Sequence, residues 1–72
     1  MKVTYDPSVD AAYIYLRTEH DRASFGFTYC CDPNEVGGQI HLDFDVAGRL
    51  IGVEVLEASK KLPPSLITNA AL

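Results

Sequence analysis

Two alternating runs near the middle of the chain restrict its fold more than any other feature. Ile40, Leu42 and Phe44 alternate with Gln39, His41, Asp43 and Asp45, and Ile51, Val53 and Val55 alternate with Gly52 and Glu54. A period of two marks a strand with one buried and one wetted face. Since a one-residue slip would send every apolar side chain to the wrong side, the two rows must share a face. Parity then sets Phe44 opposite Ile51, Leu42 opposite Val53 and Ile40 opposite Val55, and it places His41 directly across from Glu54. The connection centres on Ala47-Gly48. Gly48 supplies a positive φ there; Ala47 would be strained in an ideal two-residue type I′ loop, which leaves a four-residue variant open.

The rest of the chain has the same rhythm. Turn signals stand at Asp6-Pro7-Ser8, across the polar run Arg17 to Arg22, at Asp32-Pro33-Asn34 with Gly37-Gly38, and at Pro63-Pro64. Between them lie short runs rich in Tyr, Val, Ile and Phe, of strand length and strand composition. The reading is five strands: Val3–Tyr5, Ala11–Arg17, Ser24–Cys30, Gln39–Asp45 and Leu50–Leu56. Such short connections cannot carry parallel crossovers, so neighbours are expected to pair antiparallel as a β-meander, with the order of the outer strands open. The second strand has no plainly polar row and should be central or covered on both faces. After Leu56, Glu57 to Leu62 can form one helical turn. Pro64 then opens a stretch in which Leu62, Leu66, Ile67 and Ala70 make one apolar stripe. A short C-terminal helix covering one sheet face is expected, with an extended, partner-docking tail as the competing picture. The class is mainly β (α+β), in a single domain over residues 1–72.

Size and composition limit function. A single core in a chain of 72 residues rarely supplies more than ~3–5 kcal/mol. Disulfides cannot add to it, because Cys30 and Cys31 are adjacent and neighbouring strand residues point to opposite faces. With ten acidic against six basic side chains, the formal charge of −4 argues against binding a phosphate backbone and favours encounter with a basic protein. Neither a spanning run of apolar residues nor a secretory leader is read, since Asp6 interrupts the start, and a reducing cytoplasmic setting is expected.

Few residues suggest chemistry. His41, Asp43, Asp45 and Glu54 are candidate divalent-metal ligands on one face. Residues two apart on a strand are ~7 Å apart, however, so nothing makes their heads converge. His20, in a charged turn, reads as hydrated, and Cys30 and Cys31 lack a flanking base or oxyanion loop. The glycines nowhere form a phosphate-cradling loop, and no cofactor or catalytic residue is expected. The aromatics are more informative. Four tyrosines and three phenylalanines cannot all shelter under one short helix. Tyr13, Tyr15, Phe25, Phe27 and Tyr29, with Leu66 and Ile67 from the tail, are therefore the expected interface residues.

The opening Val3-Thr4-Tyr5-Asp6-Pro7, with Asp10-Ala11, Tyr13-Ile14 and Leu16, and the closing Asp43, Asp45, Gly48-Arg49, Gly52-Val53-Glu54-Val55-Leu56 and Ala58-Ser59, resemble the small bacterial proteins grouped as domain of unknown function 2283. The stretch from Arg22 to Gly38 is longer and more aromatic than is usual there, and Ala47 stands where Asp is common. The resemblance implies a compact β-meander without an assigned active site. Some members are thought to be encoded beside small basic proteins resembling ribonuclease toxins, which implies antitoxin duty for those. Asp6 and Asp10 are expected to cap turns through side-chain to backbone bonds. Together these readings point to a non-enzymatic interaction module, homodimeric or otherwise homo-oligomeric, with a small basic toxin-like protein as candidate partner. The alternative is a metal- or small-ligand-binding protein using the His41/Asp43/Asp45/Glu54 face.

Overall fold

In the computed structural model, which describes residues 1–17 and 24–70, the alternating runs pair largely as parity requires. They form β4 (Ile40–Asp45) and β5 (Leu50–Leu56). Ile40 lies opposite Val55, His41 opposite Glu54 and Leu42 opposite Val53. The match ends at Phe44, which faces Leu50 instead of Ile51 because β5 carries an extra residue there. Such a bulge bends the strand into its turn. In that turn the Gly48 N–H donates to the Asp45 carbonyl at 3.0 Å. Gly48 alone takes the left-handed conformation, at φ 85°, so Ala47 escapes the strain of a type I′ loop. The Asp45 carboxylate accepts from the N–H groups of Ala47 at 2.9 Å and Arg49 at 2.8 Å.

Three further strands complete one antiparallel sheet among the described residues: β1 (Lys2–Asp6), β2 (Ala11–Tyr15) and β3 (Phe25–Cys30). The order is β1-β2-β5-β4-β3. The hairpins β1–β2, β3–β4 and β4–β5 follow the expected meander. The step from β2 to β3 departs from it, since β5 lies between β2 and the β4–β3 pair. Parity supplies the reason. Ala12 faces Val55 and Ile14 faces Val53, while Val3 faces Ile14 and Tyr5 faces Ala12. One apolar face therefore runs unbroken from β1 to β4, and β5, with Ile51, Gly52 and Val55 buried, is flanked on both sides.

Helices α2 (Ala58–Lys61) and α3 (Pro64–Thr68) close over part of that face. Ala12, Val55 and Ala58 form the buried cluster, and Tyr5, Ile40, Val53, Leu62 and Ile67 pack around it. Helices of one turn are unstable alone; Leu62 and Ile67 hold these in place, so the tail is helical and docked. A third turn, α1 (Pro33–Val36), forms where the sequence suggests only loop punctuation. Asp32 caps it by accepting from the Asn34 N–H at 2.9 Å, and Gly37 ends it at φ 69°.

Asp6 caps its turn as expected, accepting from the Ser8 N–H at 3.0 Å. Asp10 does something else. Its carboxylate accepts from the Tyr5 hydroxyl at 2.7 Å, the Ser59 N–H at 3.0 Å and the Ser59 hydroxyl at 2.7 Å. These bonds, from the Ser59 hydroxyl above all, hold its carboxyl below the usual carboxylate range. The left-handed backbone of Asp10, at φ 51°, aims it across the molecule, and the β1–β2 turn is thereby tied to the start of α2.

Candidate functional site

The apolar face is covered over β1, β2 and β5 but left open toward β3. Phe27 stacks on Phe44, with ring centroids 4.9 Å apart and planes 14° from parallel, and Tyr29 lies opposite Leu42. Phe25, Phe27 and Tyr29 are 57%, 52% and 56% exposed, and every residue of β3 is exposed. Two aromatic rings, Phe27 and Tyr29, thus extend the core row outward on the edge strand, whereas Phe25, paired with Asp45 beyond a bulge, falls out of the single row expected from period-two alternation. Gly26 is where the row breaks. It is the extra residue of a bulge between Phe25 and Phe27, where a Cβ would lie 2.6 Å from the Asp45 carbonyl oxygen.

The opposite face is polar and internally bonded. Tyr13, opposite Glu54, reaches diagonally over Gly52, where a Cβ would collide with the end of its ring, and its hydroxyl donates to Asp43 Oδ2. An aromatic covering a strand glycine restores packing that the missing side chain forgoes. Thr28 donates to the other Asp43 oxygen at 2.5 Å. Tyr15 lies beside Tyr13, ring centroids 4.6 Å apart, and Lys2 Nζ stands 5.7 Å above the Tyr15 ring. One strand pair along, His41 Nδ1 meets Glu54 Oε1 at 2.8 Å.

The four candidate metal ligands divide between these settings. His41 pairs with Glu54, and Asp43 on the same face is engaged by Tyr13 and Thr28. Asp45 leaves that face and is only 1% exposed, because it is the first residue of the turn and its carboxylate serves the turn's N–H groups. Among the described residues, no three His, Cys, Asp or Glu side chains form a group able to hold a metal ion. Cys30 and Cys31 are free thiols, the first exposed. His20 lies outside the described residues. Of the expected interface residues, Ile67 packs on the core, Leu66 and Tyr13 are half-buried, and Tyr15 is 39% exposed.

Residues 2–59 match the family model described as protein of unknown function (DUF2283). The chain belongs to the DUF2283 family. No curated protein and no solved structure gives a significant match. The match gives the Asp10–Ser59 tie a setting: in this DUF2283 protein its two ends lie near opposite ends of the matched span, and α3 lies beyond it. That tie was missed from sequence, although both halves of the resemblance contained one of its ends. The matched Gly52 likewise has a packing reason, the ring of Tyr13.

Burial, reinforced by the hydrogen bond to Asp43, pushes the Tyr13 phenol up from 10.0 to about 12. The Tyr5 phenol is also raised, chiefly by its bond to Asp10. A raised folded-state value favours the folded chain below the unfolded value, and that stability is lost as pH climbs from about 10 through about 12. Urea midpoints measured across this window should fall steeply for the wild type and less steeply for Tyr13→Phe, with Tyr5 supplying the remaining slope. Equal slopes would show that folding does not raise the Tyr13 phenol.

Proposed function

We propose that this DUF2283 protein is a non-enzymatic interaction module that docks another polypeptide on the open aromatic end of its sheet. The observation that carries the reading is the continuity of Phe27 and Tyr29, each more than half exposed, with the core row of Leu42 and Phe44. Solvated aromatics on a rigid strand gain large buried area at small entropic loss when a partner arrives. Self-association and capture of a small basic, toxin-like protein both fit this surface. In the latter case the net charge of −4 speeds encounter, while the rings set residence time, and inhibition is by occlusion of the partner's basic active face. A reducing cytoplasmic setting suits the two free thiols. Among the described residues no helix is long and apolar enough to cross a membrane.

The test is co-expression with the product of the adjacent gene, followed by affinity capture and a growth-rescue assay. A stable complex with rescue is the expected result. A complex without rescue would end the antitoxin role, and the absence of both would leave only self-association to support the module.

A further inference from the structure

We infer that β3 of one copy pairs antiparallel with β3 of a second copy about a twofold axis at Thr28, joining two sheets into one. The inference rests on the interaction reading above and names the occupant of one edge of that surface.

The hydrogen-bond pattern selects the axis. The Cys31 N–H donates to the Ile40 carbonyl at 2.9 Å, and Cys30, Thr28 and Phe27 face His41, Asp43 and Phe44. In an antiparallel pair, peptide groups alternate between bonding inward and pointing outward. Cys31, Tyr29 and Phe27 therefore bond to β4, and the N–H and C=O groups of Thr28 and Cys30 point away from the sheet. With the axis at Thr28, the two copies exchange a reciprocal pair of bonds there. Phe27 then stands opposite Tyr29 of the second copy, and Tyr29 opposite the second Phe27. Those are non-hydrogen-bonded positions, where Cα atoms approach to about 4.5 Å and cross-strand aromatic pairs contribute most.

The composition of this edge favours a second copy over a basic partner. Residues 24–31 contain no charged residue and no proline, the usual guards of an exposed edge, whereas the other edge strand, β1, carries Lys2 and Asp6 at its ends. The bulge at Gly26 disturbs only the start of β3 and leaves Phe27 to Cys30 regular. Among the described residues of β3 and the facing stretch of β4, the carboxylate nearest Thr28, Asp43, is already engaged by Tyr13 and Thr28 and so is not free for a basic protein. Two chains of charge −4 repel at long range, but no like charges meet at this seam. Pairing edge to edge also leaves the aromatic faces of both copies open to another partner. A contact of this kind buries less than the ~1,600 Å² of a standard interface, so the dimer should be concentration-dependent.

Light scattering across a concentration series tests the pairing, together with two variants. Wild type should shift from monomer to dimer mass. Thr28→Pro, which removes an outward N–H and the hydroxyl bond to Asp43 but spares the backbone bonds to β4, should keep its far-ultraviolet circular dichroism and remain monomeric. In a Cys30→Ser/Cys31→Ser chain, Thr28→Cys should cross-link on mild oxidation, because the axis brings the two Cα atoms to about 5.5 Å, within disulfide range. Native Cys30 should not cross-link to its counterpart, which this register places ~13 Å away. A wild type monomeric throughout with no Thr28→Cys cross-link, or dimers cross-linked through Cys30, would overturn the inference. If that monomer still captures the neighbouring gene's product, the self-pairing falls and the interaction reading stands.

Discussion

Gly26→Ala is expected to remove about half or more of the protein's stability. The new methyl group would sit 2.6 Å from the Asp45 carbonyl oxygen and 2.9 Å from the Val46 nitrogen. Those are backbone atoms, so neither can swing aside as a side-chain end could. The segment they belong to is also pinned: the Val46 N–H donates to the Ser24 carbonyl at 3.0 Å, and the Asp45 carboxylate holds Ala47 and Arg49. Either β3 peels away from β4 or the turn deforms. Overpacking against immovable atoms falls at the upper end of its usual range, ~2–3 kcal/mol, against the ~3–5 kcal/mol that a core of this size supplies. The urea midpoint should drop to roughly half its wild-type value with little change in slope. Gly48→Ala is the informative comparison. Nothing lies within 4 Å of a Cβ there, so only the positive φ of 85° is penalised, and the loss should be the smaller of the two. An unchanged midpoint for Gly26→Ala would mean that the bulge is not seated against the turn.

The strands were legible in the sequence because period-two patterning is a local signal. The register of β4 on β5 from Ile40 to Leu42 followed from parity alone, with His41 opposite Glu54 as its direct consequence, whereas the expected pairing of Phe44 with Ile51 gave way to Leu50 at a bulge. Where the reading departed from the structure, the cause was not local. The entry of β5 between β2 and β4 depends on matching apolar rows about forty residues apart, such as Ala12 with Val55. The two bulges, at Gly26 and beside Leu50, interrupt the period-two pattern without a residue-type signal, and the one at Gly26 rests on a close backbone approach to Asp45 and Val46. Asp45 looked like one more carboxylate on the wet face, but the first residue of a turn has N–H groups within reach and is buried by bonding to them. Helix α1 was readable in principle, since Asp32-Pro33 at a start and Gly37 at an end are cap residues at the right spacing. The open aromatic end of the sheet was the best-anticipated feature of the candidate site, because it follows from counting rings against cover.

That surface separates stability from association, and the largest functional effect should appear there. Phe27 and Tyr29 are 52% and 56% exposed, so about half of each residue's surface is already in water within one chain. Lysine at both positions keeps the hydrocarbon stems over Phe44 and Leu42 while setting a charge where each ring stood. Across a symmetric seam the same change brings four ammonium groups together, and against a basic partner it sets like charge against like. Either arrangement opposes association strongly. A core aromatic treated in this way would instead lose ~3–5 kcal/mol of folding free energy. The most direct measurement is therefore a paired one on Phe27→Lys/Tyr29→Lys: the urea midpoint of the isolated chain, and the binding of that chain to its own copies and to the neighbouring gene's product. An interaction surface requires folding free energy within about 1 kcal/mol of wild type together with loss of all detectable association. A collapsed midpoint with association intact would contradict it and make these rings part of the fold.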